Sequence, residues 1–298
     1  MSTDFAPLNF APLTVGLHDG IPSAKYHADQ LHELPSLSSG LARTVLDQSL
    51  AHAHIGHPRL GAVKRESTSA MTTGSLVHAL LAGENSDIEI GNFDSYRSKA
   101  AQEWRDAIKL TGKTPALEKD LDEARLIVAA IEANAANGIS NTPFTAAARN
   151  EVTALWMEGE SPCRARFDRL VIDPNGYADG WDWKTTTDIS ERAIVRTICD
   201  YGYHIQAAFY LRGLAHCLPS HKGRTTFTFV FVETSAPYAV RRVCLSAEFL
   251  AVGAREASKA IRQWSQALAT GNWADTRSLE TLHAEAPTWM DDDEINVG

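Results

Sequence analysis

RARFDRLVIDPNGYADGWDWKTT, residues 164–186, reads as two strands joined by a tight turn. Asp173-Pro174-Asn175-Gly176 carries the turn chemistry in order: an aspartate to open it, a proline with φ already set, and a glycine where a left-handed residue is needed. A type I turn closed by a G1 bulge pairs Asp173 with Tyr177, then 170 with 180 and Asp168 with Asp182. Opposed residues share a sheet face with Cβ atoms roughly 5 Å apart, and Lys184, two positions on, points the same way. Two ionised carboxylates that close repel, and a divalent cation is the natural way to keep both charged. A strict two-residue loop would slip the register by one and turn Asp168 to the other face. The metal reading therefore depends on the bulge at Gly176.

Aspartates and lysines near a hairpin are ordinarily solvated surface charges. The setting argues otherwise here. Phe167, Leu170, Val171, Ile172, Trp181 and Trp183 make a strand pair too apolar to lie on the surface, and charges embedded in it need partners.

With 298 residues, 44% of them hydrophobic and 22% charged, the chain has the length and composition of an ordinary globular protein with a large core. Its net charge of −9 excludes a broadly basic nucleic-acid-binding surface, so any DNA contact must come from a local patch such as Arg164, Arg166, Arg192 and Arg196. No apolar run approaches membrane-spanning length, and MSTDFAPLNF lacks the basic and apolar regions of a signal peptide, so a cytoplasmic location is expected. The four cysteines are scattered without CxxC spacing, which argues against a zinc or iron–sulfur cluster.

Residues 1–35 have several prolines and glycines and no clear period, and read as an irregular N-terminal arm. From Ser36 a capped amphipathic helix follows, with Leu41, Val45 and Leu46 on its apolar side. His52, His54, His57, Arg59, Lys64 and Arg65 then read as a polar loop, either solvated or contacting phosphate. TTGSLVHALLAGE, residues 72–84, is a short apolar helix that places His78 one turn after Gly74, where the missing side chain would let a strand approach. Residues 95–110 and 117–136 read as two scaffold helices. EVTALWMEG alternates as a strand opened by Glu151, either a third acidic group or a strand-end charge. Past the hairpin come two helices broken near residues 200–202; on the second, Tyr203, Gln206 and Tyr210 share a face. Two alternating strands, TTFTFVFVET and YAVRRVCL, a helix over 247–269 and an acidic tail over 276–298 complete the chain.

Taken together, an alanine-rich helix with G-x-x-x-H, a strand-opening Glu, Asp then D-x-K on a hairpin, and Q-x-x-x-Y on the next helix resemble the PD-(D/E)xK nuclease superfamily. The phrases RARFDRL, DWKTT and YGYHIQAAFY look most like the RecE-type exonucleases (exonuclease VIII), relatives of the phage-lambda-type exonuclease. Phe167 stands where the family usually has a proline before the first aspartate. The resemblance implies an α/β (α+β) fold with a restriction-endonuclease-like core, a mixed central sheet flanked by helices, a helical N-terminal half and a nuclease domain over residues 36–275.

The resemblance also implies roles. Asp168 and Asp182 would hold catalytic Mg²⁺ or Mn²⁺, two ions per site, with the Trp183 carbonyl and His78 completing the ligands. Lys184 would orient or deprotonate water, helped by a pKa depressed by nearby cations and burial. Glu151 would support the metals or their waters, and Gln206 and Tyr210 would steady the lysine or grip the scissile strand; Arg164 and Arg166 are expected to bind substrate as part of the local basic patch. The implied function is a metal-dependent exonuclease on linear double-stranded DNA ends, 5′ to 3′, in phage-type recombination. It would assemble as a ring-like homo-oligomer, a trimer or tetramer, with a single-strand annealing protein as partner. An endonuclease or repair nuclease, and a catalytically silent DNA-binding or assembly protein, are the alternatives on the same fold.

Overall fold

A computed structural model describes residues 11–61, 69–83, 88–111, 113–137, 142–173, 176–274, 281 and 283–285. In chain order its elements are β1 (Gly16–His18), α1 (Ser23–His27), β2 (Leu37–Ser38), α2 (Ser39–Asp47), α3 (Leu50–Gly56), α4 (Ser69–Ala82), β3 (Ile88–Gly91), α5 (Lys99–Leu110), β4 (Thr114–Leu117) and α6 (Glu118–Asn137). They continue as β5 (Ala148–Glu158), β6 (Ser161–Ile172), β7 (Ala178–Thr186), α7 (Glu191–Asp200), α8 (Tyr203–Cys217), β8 (Thr225–Glu233), β9 (Val240–Cys244) and α9 (Ala247–Thr270).

The main sheet runs β1-β5-β6-β7-β8-β9, with β2 pairing β6 off that path. β5–β6, β6–β7 and β8–β9 are antiparallel while β7–β8 is parallel, so the sheet is mixed, as expected. The parallel pair needs a crossover, and α7 and α8 supply it. One face of the sheet packs Trp156, Phe167, Phe229 and Phe231 against α2, α8 and α9, whose Ala42, Phe209, Leu214 and Trp264 are buried. The other face packs Trp181, Trp183, Val230 and Val232 against Leu76 and Val77 of α4 and Ile127 and Ile131 of α6. β7 alternates as these two cores demand: the tryptophans turn to the second core, and Asp182 lies between them on the side of α8.

The turn at the tip of the β6–β7 hairpin behaves as its sequence dictates. The Asp173 amide donates to the Tyr177 carbonyl at 2.8 Å, the Gly176 amide donates back to Asp173 at 2.8 Å, and Gly176 has φ +104°. The ladder then pairs Ile172 with Ala178, Leu170 with Gly180 and Arg169 with Trp181, the expected register.

Three expectations change. The N-terminal arm is not an irregular cover: β1 extends the sheet beside β5 and α1 carries a buried Tyr26, while just past the arm, where a helix from Ser36 was expected, β2 pairs β6 before α2 begins. A short strand has too few residues for a period to show, and its partner lies more than a hundred residues away. The polar loop is instead partly helix α3 followed by a buried knot, in which His57 and Arg59 are 0% and 4% exposed. Lys64 and Arg65 lie outside the described residues, as does most of the acidic tail. The helical N-terminal half also carries a small parallel sheet, β3 beside β4, that the sequence pattern does not announce.

Candidate active site

The site forms where the regular sheet gives way. β5 and β6 pair in one register on both sides of Glu151 and Asp168, with Asn150 opposite Arg169 and Val152 opposite Phe167, yet Glu151 and Asp168 themselves make no ladder pair. Phe167 and Leu170, three apart, point into the same core, so the alternation of faces skips at Asp168. Glu151 absorbs the matching distortion with φ +51°, a left-handed value that a bulky residue adopts only where its surroundings enforce it. The two carboxylates thus emerge together at a kink shared by both strands.

The β6–β7 ladder ends beside the same kink. In place of a backbone carbonyl, the Asp168 carboxylate accepts the Trp183 amide at 2.7 Å through Oδ2. His78 approaches from α4: Nδ1 lies 3.2 Å from that Oδ2, and Nε2 donates to the Trp183 carbonyl at 3.1 Å. Burial opposes a charged imidazole, but the adjoining Asp168 and the more distant Asp182 carry its pKa up to about 9. Asp168 is held below its usual range: burial disfavours its charge, and His78, Lys184 and the Trp183 amide outweigh burial. Glu151 is pushed up by burial and by the charge of Asp168, although Arg166 pairs with it.

Asp182 and Lys184 share a face of β7, as the alternation requires, and form an ion pair. Gln206 on α8 donates from Nε2 to Asp182 Oδ2 at 2.6 Å. Burial and the like charge of Asp168 raise the Asp182 pKa. The depressed lysine expected from the sequence is not what the protein's own charges produce: burial works against the ammonium, but Asp182 and other neighbours carry Lys184 above its usual value. Its Nζ also lies 4.7 Å from the Tyr203 ring centroid.

His78, Glu151, Asp168, Asp182, Lys184, Gln206, Tyr210 and Arg166 all line one cavity of about 1250 Å³. That exceeds the roughly 300–1,000 Å³ of ordinary small-molecule pockets. Within it the donor atoms of His78, Glu151 and Asp168 lie within 4.8 Å of one another. Two carboxylates and a neutral imidazole are ligand types that divalent cations take; His78 would give up the proton it holds against Asp168 to serve as one, and the bonds from Trp183 and His78 fix Asp168 through a single oxygen. The residues fit a divalent cation. Asp182 is outside that group and is tied to Lys184 and Gln206 instead, because the ladder parts before the two aspartates meet.

Arg164 is a correction. It is 4% exposed and is not in the cavity wall: Nη1 binds Asp29 Oδ1 at 2.6 Å and the Ser36 carbonyl at 2.7 Å. Its neighbour two residues on, Arg166, reaches the cavity but is engaged by Glu151 and by the Ile21 carbonyl at 2.7 Å. Gly74 is another. A Cβ there would meet Thr185 Oγ1 at 3.5 Å, an ordinary contact, so β7 does come close but does not require the glycine.

Sequence reasoning missed three contributors. Tyr26, from the supposed arm, lines the cavity, and the Arg166 guanidinium lies 5.7 Å from its ring centroid. Tyr203, noted only for its helix face, touches the lysine. Arg169 binds Asn150 Oδ1 at 2.8 Å, the Pro143 carbonyl at 2.7 Å and the Leu81 carbonyl at 2.5 Å, so it ties α4, and with it His78, to the kink. No local signal marks an arginine as facing inward; the apolar run Leu170-Val171-Ile172 that follows Arg169 is the only hint.

Comparison with known proteins accords with this geometry. A solved structure of a "putative exonuclease" from Eubacterium rectale matches with a TM-score of 0.52 at 12% identity, covering 92% of this chain and 98% of that one. That likeness shows the fold. A second, SSO0001, has a TM-score of 0.30 at 13% identity over 64% of this chain and 86% of its own, and carries no weight. Nothing matches among curated proteins. The family model described as a PDDEXK-like domain of unknown function (DUF3799) matches residues 46–280, most of the chain, and the protein therefore belongs to that family, within the PD-(D/E)xK nuclease superfamily.

Proposed function

We propose that the protein is a metal-dependent deoxyribonuclease that degrades linear double-stranded DNA from its ends, 5′ to 3′, in recombination of the phage type. The observation that carries the reading is the convergence of His78, Glu151 and Asp168 within 4.8 Å, beside the Asp182–Lys184 pair, in a cavity large enough for a polymer strand. Mg²⁺ or Mn²⁺, two per site, would be held by His78, Glu151, Asp168 and the Trp183 carbonyl, with Asp182 nearby. Bound there, such ions lower the pKa of water and offset charge on the phosphate.

The chain's own residues supply the positioning. Asp182, fixed by Gln206, holds Lys184 against the Tyr203 ring with its ammonium toward the cavity. A lysine so held donates hydrogen bonds to the attacking water or to a phosphate oxygen, and its charge offsets the negative charge that builds on phosphorus. Arg166 holds Glu151, and Tyr210, packed at 4.9 Å on Phe167 and 5.2 Å on Phe227, closes the floor against water. The resemblance of its motifs to those of RecE-type exonucleases extends the proposal to a ring-like trimer or tetramer working with a single-strand annealing protein in the cytoplasm.

Digestion of end-labelled linear duplex and covalently closed circular DNA, with Mg²⁺ and with EDTA, tests the reading. Release of label from the 5′ end of the linear form, in Mg²⁺ only, is expected. Cleavage of the closed circle would identify an endonuclease instead.

A further inference from the structure

Tyr201 ends α7 with 58% of its surface exposed, on the lip of the cavity that holds Lys184. Single exposed aromatics are ordinary on protein surfaces. This one belongs to a ladder. Its ring stacks on Tyr203 at 5.8 Å between centroids and 22° between planes, and Tyr203 stacks on Phe229 at 5.4 Å and 28°. Phe229 is fully buried, and the Lys184 ammonium sits against Tyr203. Near-parallel rings therefore run from the core, past the lysine, into solvent.

The ladder requires a break in the helix. Residues two apart in a continuous helix do not face one another. Between Tyr201 and Tyr203 the chain turns at Gly202, with φ +67° and ψ 32°, and the left-handed turn brings the two rings together. Arg43 braces the junction: its guanidinium lies 5.8 Å from the Tyr201 centroid and donates to Asp47 Oδ2 at 2.8 Å and to the Asp200 carbonyl at 2.7 Å. Tyr201 is thus held in place before any ligand arrives, which lowers the ordering cost of stacking on it.

The charge of the cavity points the same way. Among the described residues, the lysine and arginine that line it, Lys184 and Arg166, are both committed to carboxylates. Thr187 and Thr197 also line the cavity. A strand entering here is gripped by ring faces and hydroxyls more than by free cations.

We propose that Tyr201 is a base-stacking residue: an unpaired base next to the cleaved phosphate lies on its exposed ring. The inference rests on the nuclease reading for its substrate, and the test separates the two. Full-length protein is titrated into an oligonucleotide bearing 2-aminopurine, a base whose emission falls on stacking, with Ca²⁺ as the ion; KM and kcat for hydrolysis are measured separately in Mg²⁺. Wild type should quench the probe. Tyr201→Ala should lose the quenching and raise KM about 10- to 100-fold with kcat little changed, and Tyr201→Trp should restore both. If Tyr201→Ala quenches and saturates like wild type, or Tyr201→Trp fails as Tyr201→Ala does, stacking is wrong even where hydrolysis is intact. If wild type quenches the probe in a Tyr201-dependent way but hydrolyses no DNA, the platform stands and the nuclease reading falls.

Discussion

Asp29 is fully buried, with Arg164 bound to Oδ1 at 2.6 Å, His57 Nε2 3.2 Å from Oδ2, and Arg59 and Ser36 completing the surround. Burial works against its charge, but Arg164 and His57 hold its carboxyl below 3.8; burial also keeps His57 below 6.5 despite Asp29. Both folded-state values lie under the unfolded ones, so the unfolded chain takes up these protons first and stability is lost as pH falls. The loss begins below about pH 6.5 for His57 and below about 3.8 for Asp29. Urea unfolding should show a shallower decline from pH 6.5 to 5 for His57→Gln than for wild type, and equal slopes would contradict this assignment. The same knot shows where residue-level reading stops. Asp182 and Lys184 were legible as neighbours because strand alternation fixes facing, whereas the turn fixes register only as far as Arg169 opposite Trp181, one residue short of Asp168. Arg164 was not legible, because its partner lies 135 residues earlier in the chain and nothing beside it announces that contact.

At the scale of elements, periodic length decides what can be read. α6 and α9 span 20 and 24 residues, and their boundaries fall within a residue or so of those expected from periodicity. β1 and β2, of three and two residues, owe their existence to the long strands they lie against and were invisible. The shared kink at Glu151 and Asp168 was equally hidden, since unbroken alternation was assumed and the break in facing arises from the cores on either side. Packing of α8 on α9 makes one sharp demand. A Cβ on Gly253 would lie 2.1 Å from the His204 carbonyl oxygen, a backbone atom that cannot turn aside. Gly253→Ala should therefore force the helices apart and lower stability by about 1–3 kcal/mol, although alanine is the better helix former. A thermal midpoint equal to or above that of wild type would show that the contact yields freely.

For the whole molecule, the sheet brings the chemistry together from widely separated parts of the chain. α4 supplies His78, β5 Glu151, β6 Asp168, β7 Asp182 and Lys184, and α8 Gln206, while the N-terminal segment closes one wall with Tyr26. The family match begins at residue 46, yet β1, α1 and β2 before it complete the sheet and the cavity of this chain. The fold was legible because motifs in a fixed order carry it, and the residues of those motifs, His78, Glu151, Asp168, Asp182, Lys184, Gln206 and Tyr210, line one cavity. The division of the acidic residues into a His78–Glu151–Asp168 group and an Asp182–Lys184 pair was not, since it depends on where two ladders end. The most direct measurement is Mn²⁺-dependent release of acid-soluble nucleotide from linear duplex DNA by wild type and Asp168→Asn, with folding of the variant checked by circular dichroism. The account predicts release by wild type only when the metal is present, and a loss of about 10²-fold or more in the variant; undiminished, metal-independent release by Asp168→Asn would contradict it.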